Sequence, residues 1–533
     1  MHWMSATSRT HRRLGPAAAS PVSVAEIVAV LPEDFRRRDL LIENLHGLQD
    51  GFGGLYRHHL AALAEEMRLS PAEVQETASF YAHFRLLDDH EAAPAAVLRR
   101  CTGPACSMRP LDLGALPDGV MVEDVPCTGL CDHAPVALAG KVPVRRADAA
   151  KVARALAEPY SPPMPSGESF PVLDRCLSGE LPRDEALTEL ERAGLRGMGG
   201  AGFPTARKWR SVAAQPGPRL VVVNADEGEP GTFKDRWFLE NHAAQVLEGA
   251  LIAAWAVEAD EVYLYLRDEY ADLHKGLATL IRDLPGDITI HLRRGAGAYV
   301  CGEESALIES LEGKRGLPRQ RPPYVAEVGL FGRPTLVNNV ETLYWVSRLL
   351  AEGAELFGNE GRNGHHGLRT YSVSGRVKEP GVKIAPNGIT VSELIDEFCG
   401  GMEDGHVLAA YLPGGASGGF LPARLQPPLA FGAIEEHGGF IGSAAVVVFS
   451  QADDLRAVAL NLARFFAHES CGQCTPCRVG TAKSVGLLAG PAWDRDLLDD
   501  LAGVMRDASI CGLGQAAPNV WQSLFRHFPE VVT

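Results

Sequence analysis

Three cysteines in the C-terminal part of the chain have a spacing that limits what the chain can fold around. Cys471, Cys474 and Cys477 form the pattern C-x-x-C-x-x-C. Three thiolates this close together can occupy three corners of one metal–sulfur cube, and Cys511 is the candidate for the fourth. The pattern predicts a [4Fe–4S] cluster, which carries single electrons. Zinc and coincidence are the alternatives, although structural zinc usually binds two separated C-x-x-C pairs.

A second group of four cysteines lies in the N-terminal part of the chain. Cys101 and Cys106 form C-x4-C, and Cys127 and Cys131 form C-x3-C. Two pairs separated by a loop suit a [2Fe–2S] core in which each pair binds one iron. A zinc site or an unused site is the alternative, but zinc knuckles prefer C-x2-C. Disulfides are not expected, because eleven cysteines in 533 residues without a secretory signal do not form a disulfide scaffold.

Charge and hydropathy exclude two classes of partner. The net charge of −16 argues against nucleic acid, because phosphate binding needs a basic face. The longest apolar stretch, 247–257, is too short to cross a bilayer, so we expect a cytoplasmic protein without direct membrane insertion. Residues 1–24 are expected to form a flexible arm, or alternatively an arm that becomes ordered on a partner.

A glycine-rich loop at 194–205 predicts a binding site. Gly197, Gly199, Gly200 and Gly202 lie within it, and Lys208 follows as a possible phosphate counter-charge. Such a loop allows backbone N–H groups to approach a phosphate or a flat ring closely. The loop is not a Rossmann fingerprint, because a predicted helix over 183–193 precedes it where a strand is required.

Acidic and amide side chains follow the predicted strands. The apolar run 220–223 predicts a buried parallel strand, and it ends at Asn224, Asp226, Glu227 and Glu229. Ligands bind at the carboxyl ends of such strands, where these carboxylates can accept hydrogen bonds from ribose hydroxyls, a ring N–H or a carboxamide. The alternative is a solvated loop.

A second loop follows the predicted strand 288–292 and resembles the first in composition. Tyr299, Gly302, Glu303 and Glu304 lie in it, although acids at a helix start also complement the helix dipole. Further along, Asn338, Asn339 and Thr342 supply polar groups at a loop-to-helix junction; a turn or cap is the alternative. Together the loops predict an FMN site.

The segment around the first four cysteines resembles the 24-kDa-type subunit of respiratory complex I. The matching residues are 76–81, the four cysteines and 131–135. The resemblance implies a thioredoxin-like [2Fe–2S] ferredoxin preceded by helices, which the sequence predicts at 38–45, 55–67 and 71–84. The loop between the two cysteine pairs is shorter than is usual in that family.

From about residue 180 onward the chain resembles the 51-kDa-type flavoprotein subunit of complex I. The matching motifs are 196–208, 224–236, 295–304, Asn338-Asn339 and the C-terminal cysteines. The resemblance implies an FMN site, to which we add the small residues Gly199, Gly200 and Gly302 of the two loops. Its other members are Gly197, Lys208, Asn224, Asp226, Glu227, Tyr299, Glu303, Asn338, Asn339 and Thr342.

The same resemblance implies a neighbouring NAD(H) site. It places Phe203, Glu229 and Glu304 against NADH, with the Phe203 ring stacked on the adenine. We include Arg321 and Tyr324, which stand where many relatives carry Lys and Phe; Ser211 likewise replaces an aromatic residue. Hydride transfer by FMN needs no acid or base from the protein, so no catalytic residue is predicted.

The predicted architecture is a multidomain α/β protein. Its parts are a flexible arm (1–24), an N-terminal helical segment (25–95), a thioredoxin-like [2Fe–2S] domain (96–160), a Rossmann-like FMN- and NAD-binding domain (161–365), a ubiquitin-like β-grasp domain of the SLBB type (366–450) and a C-terminal helical [4Fe–4S] domain (451–533).

The fusion of both modules resembles the beta (diaphorase) subunits of NAD-dependent molybdenum or tungsten formate dehydrogenases. The similar stretches are 36–43, 81–84 and 374–382. This resemblance implies an alpha subunit with further Fe–S clusters and a molybdenum or tungsten cofactor as partner. The alternatives are the diaphorase subunit of an NAD-reducing hydrogenase, a fused flavoprotein subunit of complex I and, as a non-enzyme, an iron–sulfur scaffold protein.

Overall fold

The computed structural model describes residues 20–158, 160–162, 170–284, 286–358 and 361–532. Most of the predicted arm, residues 1–19, therefore lies outside the described residues. The described residues fall into two compact units. The first contains the chain up to Ala93 together with Gly313–Arg315, and the second contains Pro94–Glu312 and the chain from Gly316 onward.

The first unit is mainly helical. Its elements are α1 (Pro21–Val30), α2 (Leu41–Phe52), β1 (Leu55–Tyr56), α3 (Arg57–Met67), α4 (Pro71–Phe80) and β2 (Leu86–Leu87). Ser20 and Ser70 cap α1 and α4, each followed by a proline in the first turn. Strand β1 pairs with β2 in parallel.

Four predicted helix boundaries in this unit were wrong. Arg38–Leu40 is a 3-10 turn, and α2 continues beyond the predicted end to Phe52, where Gly53 closes it in the left-handed region. Residues 55–56 pair as a strand before α3 begins. Helix α4 ends at Phe80, because Tyr81 adopts an extended conformation.

The second unit begins with a small mixed sheet. Its elements are β3 (Ala96–Cys101), α5 (Pro104–Ser107), β4 (Val120–Val125), β5 (Ala137–Ala139), β6 (Val142–Val144) and α6 (Ala149–Ala157). The strand order is β4-β3-β5-β6, with β3 and β4 parallel and the other pairs antiparallel. The predicted strands 96–100 and 120–125 are confirmed.

A parallel-sheet domain follows. Its helices are α7 (Pro171–Ser178), α8 (Arg183–Arg192), α9 (Thr205–Ala213), α10 (Lys234–Asn241), α11 (Ala243–Val257), α12 (Ala271–Arg282), α13 (Glu304–Leu311), α14 (Val340–Glu352) and α15 (Glu355–Gly358). Its strands are β7 (Arg219–Ala225), β8 (Ala259–Leu266), β9 (Thr289–Arg294) and β10 (Thr335–Asn339), in the order β10-β7-β8-β9.

The register of this sheet determines where the polar loops meet. Asn339 pairs with Asn224, Ala225 with Leu266, and Leu266 with Arg294, so all four strands end at the same edge. Residues 220–223 are buried, as predicted for a strand covered on both faces. The loops that follow the four strands therefore surround one crevice at the carboxyl edge of the sheet.

A five-stranded mixed sheet and a group of helices complete the unit. The sheet contains β11 (Leu368–Gly375), β12 (Gly381–Pro386), β13 (Leu408–Leu412), β14 (Leu421–Pro422) and β15 (Ala445–Ser450), in the order β12-β11-β15-β13-β14, with α16 (Val391–Phe398). The helices are α17 (Leu455–Glu469), α18 (Thr475–Leu488), α19 (Arg495–Ala508), α20 (Gly512–Ala516), α21 (Asn519–His527) and α22 (Pro529–Val532).

The predicted multidomain α/β class is confirmed. Across the described ranges, every helix is too short or too polar to meet the length and hydropathy that crossing a membrane requires.

Candidate functional site

The loops after β7 and β9 are joined at the carboxyl edge of the parallel sheet. The side-chain amide of Asn224 donates to the carbonyl oxygen of Gly302 over 2.9 Å, and its Oδ1 accepts from the amide of Asp226 over 3.0 Å. A Cβ at Gly302 would lie 3.1 Å from the carbonyl oxygen of Asp226. Asn224 therefore holds the two predicted binding loops together.

Asp226 carries an unused polar atom inside this crevice. Its Oδ2 is buried and has no hydrogen-bond partner among the described residues. Burial raises the pKa of Asp226 well above its usual range, against the opposing charge of Arg267. A buried carboxyl oxygen without a partner is costly, so this atom suits a ligand that offers a hydrogen-bonding group.

Hydrogen bonds hold the glycine-rich loop in place, and one of them joins it to the start of α14. The amide of Gly197 donates to the carbonyl of Phe203 over 2.8 Å, and the amide of Met198 donates to Thr342 Oγ1 over 2.9 Å. A Cβ at Gly199 would lie 3.1 Å from the Cβ of Asn339. Gly200, at φ +131°, faces open space, so the exposed rim of the loop is backbone.

Asn338 and Asn339 are brought to this loop, and both make internal hydrogen bonds. Asn338 Oδ1 accepts from the indole of Trp209 over 2.9 Å. Asn339 caps α14 and donates to Asp235 over 2.6 Å. Asp235 and Glu341 in turn hold the buried ammonium of Lys234 at 2.8 and 2.9 Å.

Sequence reasoning missed this buried group of Lys234, Asp235 and Glu341. The signal was present in the charged start of α10, but an isolated Lys-Asp pair at a helix start is usually a solvated surface feature. Here it fixes the junction between β10 and α14, and with it the predicted ligands Asn338 and Asn339.

The Glu227 carboxylate, predicted to lie at the FMN site, makes three internal hydrogen bonds. This carboxylate accepts from the amides of Asp235 and Arg236, at 2.8 and 3.1 Å, and from Tyr270 Oη at 2.9 Å. Burial, together with the neighbouring Asp235, raises the pKa of Glu227. Three internal donors already occupy this carboxylate, so it serves to hold the loop and the start of α10.

Lys208 and the acids after β9 form a cluster of charges. Lys208 Nζ lies 3.0 Å from Glu304, and Arg321 lies 3.6 Å from the same carboxylate. Although burial opposes ionisation, Lys208 lowers the pKa of Glu304. Glu303 caps α13 by accepting from the amides of Ser305 and Ala306, and it also pairs with Arg321.

Two aromatic rings predicted to lie near NAD(H) are exposed. Phe203 is 46% exposed and Tyr324 is 54% exposed, although large aromatic side chains are normally covered. The Arg207 guanidinium lies over the Phe203 ring at 5.6 Å. An exposed ring beside the glycine loop offers a flat apolar surface for a base.

Glu229 and Tyr299 connect the crevice to two other parts of the unit. Tyr299 Oη donates to Glu229, which also accepts from the amide of Ser417 over 2.6 Å. The backbone amide of Tyr299 donates to Glu469 Oε2 over 3.0 Å, and its ring packs against Phe465. Tyr299 therefore contacts α17, the helix that leads into the C-terminal cysteines.

The four C-terminal cysteines line one cavity. Cys471, Cys474, Cys477 and Cys511 share its wall with Val300, the residue after Tyr299. Cys474 directly precedes α18, Cys477 lies in its first turn, and Cys511 precedes α20. A common cavity with four thiol donors fits a cubane and agrees with the predicted ligand set.

The other four cysteines are also brought together. Cys101, Cys106, Cys127 and Cys131 are all buried, and the sulfurs of Cys127 and Cys131 lie 3.5 Å apart. A Cβ at Gly103 would lie 2.7 Å from the carbonyl of Pro126, so only glycine allows the two cysteine loops to approach this closely. The donor set fits a [2Fe–2S] core.

Residues of the parallel-sheet domain hold the second of these cysteine loops. Arg236 donates to the carbonyl of Gly129 over 3.1 Å and pairs with Asp132 at 2.8 Å. Arg267 donates to the carbonyl of Cys127 over 3.2 Å. Sequence reasoning missed Arg267 and Tyr270, whose position directly after β8 could have revealed them.

Comparison with protein families gives four matches along the chain. Residues 24–113 match the thioredoxin-like [2Fe-2S] ferredoxin, a range that includes Cys101 and Cys106 and ends before Cys127. Residues 190–348 match the Nuo51 FMN-binding domain and residues 370–421 the SLBB domain. Residues 457–533 match the iron-sulfur binding region of NADH-ubiquinone oxidoreductase-F.

Individual proteins are similar over long stretches. The F subunit of the Aquifex aeolicus NADH-quinone oxidoreductase is 39% identical over 380 residues, which cover 68% of this chain and 88% of that protein. An F subunit of the Rhizobium meliloti NADH-quinone oxidoreductase is 40% identical over 373 residues, which cover 66% of this chain and 86% of that protein. A crystal structure of an NAD+-reducing [NiFe]-hydrogenase in the air-oxidized state matches with a TM-score of 0.80 and 35% identity, over 94% of each chain.

These matches confirm the predicted cofactor set of FMN, a [2Fe–2S] cluster and a [4Fe–4S] cluster. The partnerless Asp226 oxygen and the two cysteine groups are the features of this structure that fit those cofactors.

Proposed function

The chain belongs to the family of NADH-binding FMN and iron–sulfur subunits that includes the F subunits of NADH-quinone oxidoreductases, and on that premise we propose that it is the diaphorase subunit of a multi-subunit NAD-dependent formate dehydrogenase. The observation that carries the diaphorase half-reaction is the contact between Tyr299 and Glu469 at 3.0 Å. It joins the polar crevice of the parallel sheet to the helix that ends at the cysteine cavity.

We propose that FMN binds in the crevice at the carboxyl edge of the parallel sheet. Backbone N–H groups of the glycine loop would bind the phosphate or the ring of FMN. The Oδ2 atom of Asp226 would accept a hydrogen bond from FMN. Asn224, Asn338, Asn339 and Thr342 would act by fixing the loops, since their side chains bond to Gly302, Trp209, Asp235 and Met198 respectively. When bound, FMN exchanges a hydride with NAD(H) and releases electrons singly, which protein side chains alone do not do.

We propose that the nucleotide binds beside this crevice, against Phe203 and Glu304. The exposed Phe203 ring supplies a stacking surface for adenine, with Tyr324 as a second exposed ring. Glu304 is kept ionised by Lys208 and accepts hydrogen bonds from ribose hydroxyls. The same negative charge repels the extra 2′-phosphate of NADP(H).

The two cysteine groups would serve as the electron carriers. Cys471, Cys474, Cys477 and Cys511 would hold the cubane that lies next on the path from the crevice, because Val300 lines their cavity. Cys101, Cys106, Cys127 and Cys131 would hold the [2Fe–2S] cluster. Both groups supply thiolates, and the protein fixes their separation.

The formate dehydrogenase assignment is supported by sequence stretches outside the site. These are 36–43, 81–84 and 374–382, which resemble the beta subunits of the molybdenum or tungsten enzymes. The partner would then be an alpha subunit that oxidises formate. The second candidate is the diaphorase subunit of an NAD-reducing hydrogenase, favoured by the 94% coverage of both chains in the structural match.

Purification of the native complex distinguishes these candidates. The complex is assayed for NAD⁺ reduction with formate and, separately, with hydrogen, and its metals are measured. We expect formate-driven reduction and molybdenum or tungsten. Hydrogen-driven reduction with nickel would replace the formate assignment by the hydrogenase one, and a quinone-reducing membrane complex would replace both.

A further inference from the structure

Three potential metal ligands converge within the first unit, away from both cysteine groups in the sequence. Glu26 lies on α1, and His58 and His59 lie at the start of α3. One ligand atom from each of the three side chains lies within 4.8 Å of the other two. Neither the proposed FMN site nor the clusters use these residues.

Two of the three separations are close to those around a tetrahedral zinc ion. Glu26 Oε2 lies 3.1 Å from His59 Nε2 and 3.7 Å from His58 Nε2. Zinc bonds of about 2.0–2.1 Å place tetrahedral ligand atoms roughly 3.3 Å apart. Only small side-chain movements would therefore bring the three atoms to one ion.

His58 has the outer partner that metal-binding histidines usually have. Asp89 Oδ1 lies 2.7 Å from His58 Nδ1 and also accepts from the backbone amide of His58 over 3.1 Å. A carboxylate on Nδ1 favours the tautomer whose Nε2 lone pair is free, and it fixes the ring orientation. That Nε2 is the His58 nitrogen that lies 3.7 Å from Glu26.

His59 is buried, and its hydrogen bonding is incomplete. Its side chain is 4% exposed, and its Nδ1 has no hydrogen-bond partner among the described residues. The ring packs against Phe52 and His58, with centroid distances of 4.1 and 4.0 Å. The packing fixes the ring while its Nε2 lies 3.1 Å from Glu26, so a metal ion at this nitrogen would replace one hydrogen bond by a stronger bond.

The approach to this cluster is open. The side chains of His58 and Glu26 are 32% and 42% exposed. An ion can therefore enter from solvent, and a water molecule can occupy the position that the protein leaves free.

We propose that Glu26, His58 and His59 form a binding site for a divalent transition metal of the zinc class. Two imidazole nitrogens and one carboxylate oxygen are a donor set that suits zinc and disfavours magnesium or calcium. The ion would link α1 to α3 and thereby stabilise the first helix that the structure describes. The site is independent of the proposed electron-transfer function, because zinc has no redox chemistry.

The first test uses the full-length chain with both iron–sulfur clusters in place. Wild type, His58→Gln and the control His90→Gln, which changes an exposed histidine outside the cluster, are dialysed against micromolar Zn²⁺. Zinc and iron are then measured by mass spectrometry. We expect wild type and His90→Gln to retain one zinc per chain that His58→Gln lacks, at equal iron content. Equal zinc in all three proteins would overturn the proposal.

The second test identifies the ligands and does not depend on a variant that folds. X-ray absorption at the zinc edge of the loaded wild type should show nitrogen and oxygen neighbours at about 2.0–2.1 Å with imidazole scattering. Sulfur neighbours at about 2.3 Å would place the zinc in a cysteine site and refute the proposal. If His58→Gln loses its fold, Glu26→Gln replaces it with the same expectation.

Discussion

The two groups of four cysteines are held by the protein in different ways. Cys101, Cys106, Cys127 and Cys131 are all buried, whereas Cys471, Cys474 and Cys511 of the C-terminal group are only partly buried. The loop of the first group is fixed by the Arg236 and Arg267 side chains, which reach it from the parallel-sheet domain.

The C-terminal group is built into the ends of its own helices. Its link to the parallel sheet is the bond between the Tyr299 amide and Glu469. The [2Fe–2S] segment is thus held by buried charge from the parallel-sheet domain, while Val300, which follows Tyr299, lines the cavity of the C-terminal cysteines. The two groups should therefore respond separately to substitution.

Cysteine replacement gives the largest expected effect. Cys477→Ser should abolish the NADH-dependent electron paramagnetic resonance signal of the cubane, because a cluster corner is lost. Cys106→Ser should abolish the [2Fe–2S] signal and leave NADH-driven dye reduction within about twofold of wild type, since the path from the crevice to the cubane remains.

Each variant is the control for the other. The comparison fails if Cys106→Ser, correctly folded, also loses dye reduction, or if Cys477→Ser also loses the dithionite-reduced [2Fe–2S] signal.

Arg236→Met tests the docking by buried charge. The side chain is 3% exposed and pairs with Asp132 and Glu240; Glu240 keeps Arg145 as a partner, but Asp132 loses its arginine. We expect a loss of about 3 kcal/mol of stability. The measurement is thermal unfolding followed through the absorbance of each cluster, with the [2Fe–2S] signal lost first.

The matched control is Arg282→Met, because that arginine is 71% exposed. It should change stability by no more than about 0.5 kcal/mol. Equal effects of the two substitutions would mean that buried charge does not dock the [2Fe–2S] segment.

The sequence allowed the cysteine groups and the strand-end loops to be predicted, because both depend on local spacing. It did not reveal the buried contacts of Lys234, Arg236 and Arg267, because a charged residue in a sequence is usually solvated. Those contacts arise only when the ends of β7, β8 and β10 meet. For the same reason the sequence did not reveal that the Glu227 carboxylate, predicted to lie at the FMN site, accepts from amides at the start of α10.

Glu469→Ala tests the link between the crevice and the cubane. Loss of a charged acceptor should reduce the free energy that holds Tyr299 in place by about 1.5 kcal/mol. We expect NADH-driven cubane reduction to slow roughly tenfold as a result. Glu469→Gln keeps an acceptor and should restore most of the rate. Stopped-flow absorbance measures the rate of cubane reduction. Identical rates for Glu469→Ala and wild type would show that the contact does not matter for electron transfer.

Glu304→Gln tests whether the proposed nucleotide site functions independently of both cysteine groups. Removal of the charge frees Lys208, so kcat/KM with NADPH should rise severalfold relative to NADH while both cluster signals stay unchanged. The control is Glu258→Gln, which removes an acid directly before β8, at the opposite edge of the sheet. An unchanged NADH/NADPH ratio in Glu304→Gln would remove Glu304 from the nucleotide site.

The central claim is that a flavin reactive with NADH lies close enough to the C-terminal cubane to reduce it. The most direct test mixes NADH with the full-length chain containing FMN and both clusters, freezes the sample within milliseconds and records its paramagnetic resonance. We expect a reduced cubane signal, together with FMN fluorescence when the protein is denatured in acid. A preparation that holds iron but releases no flavin, or a cubane that stays oxidised with NADH, would contradict it and favour a scaffold protein.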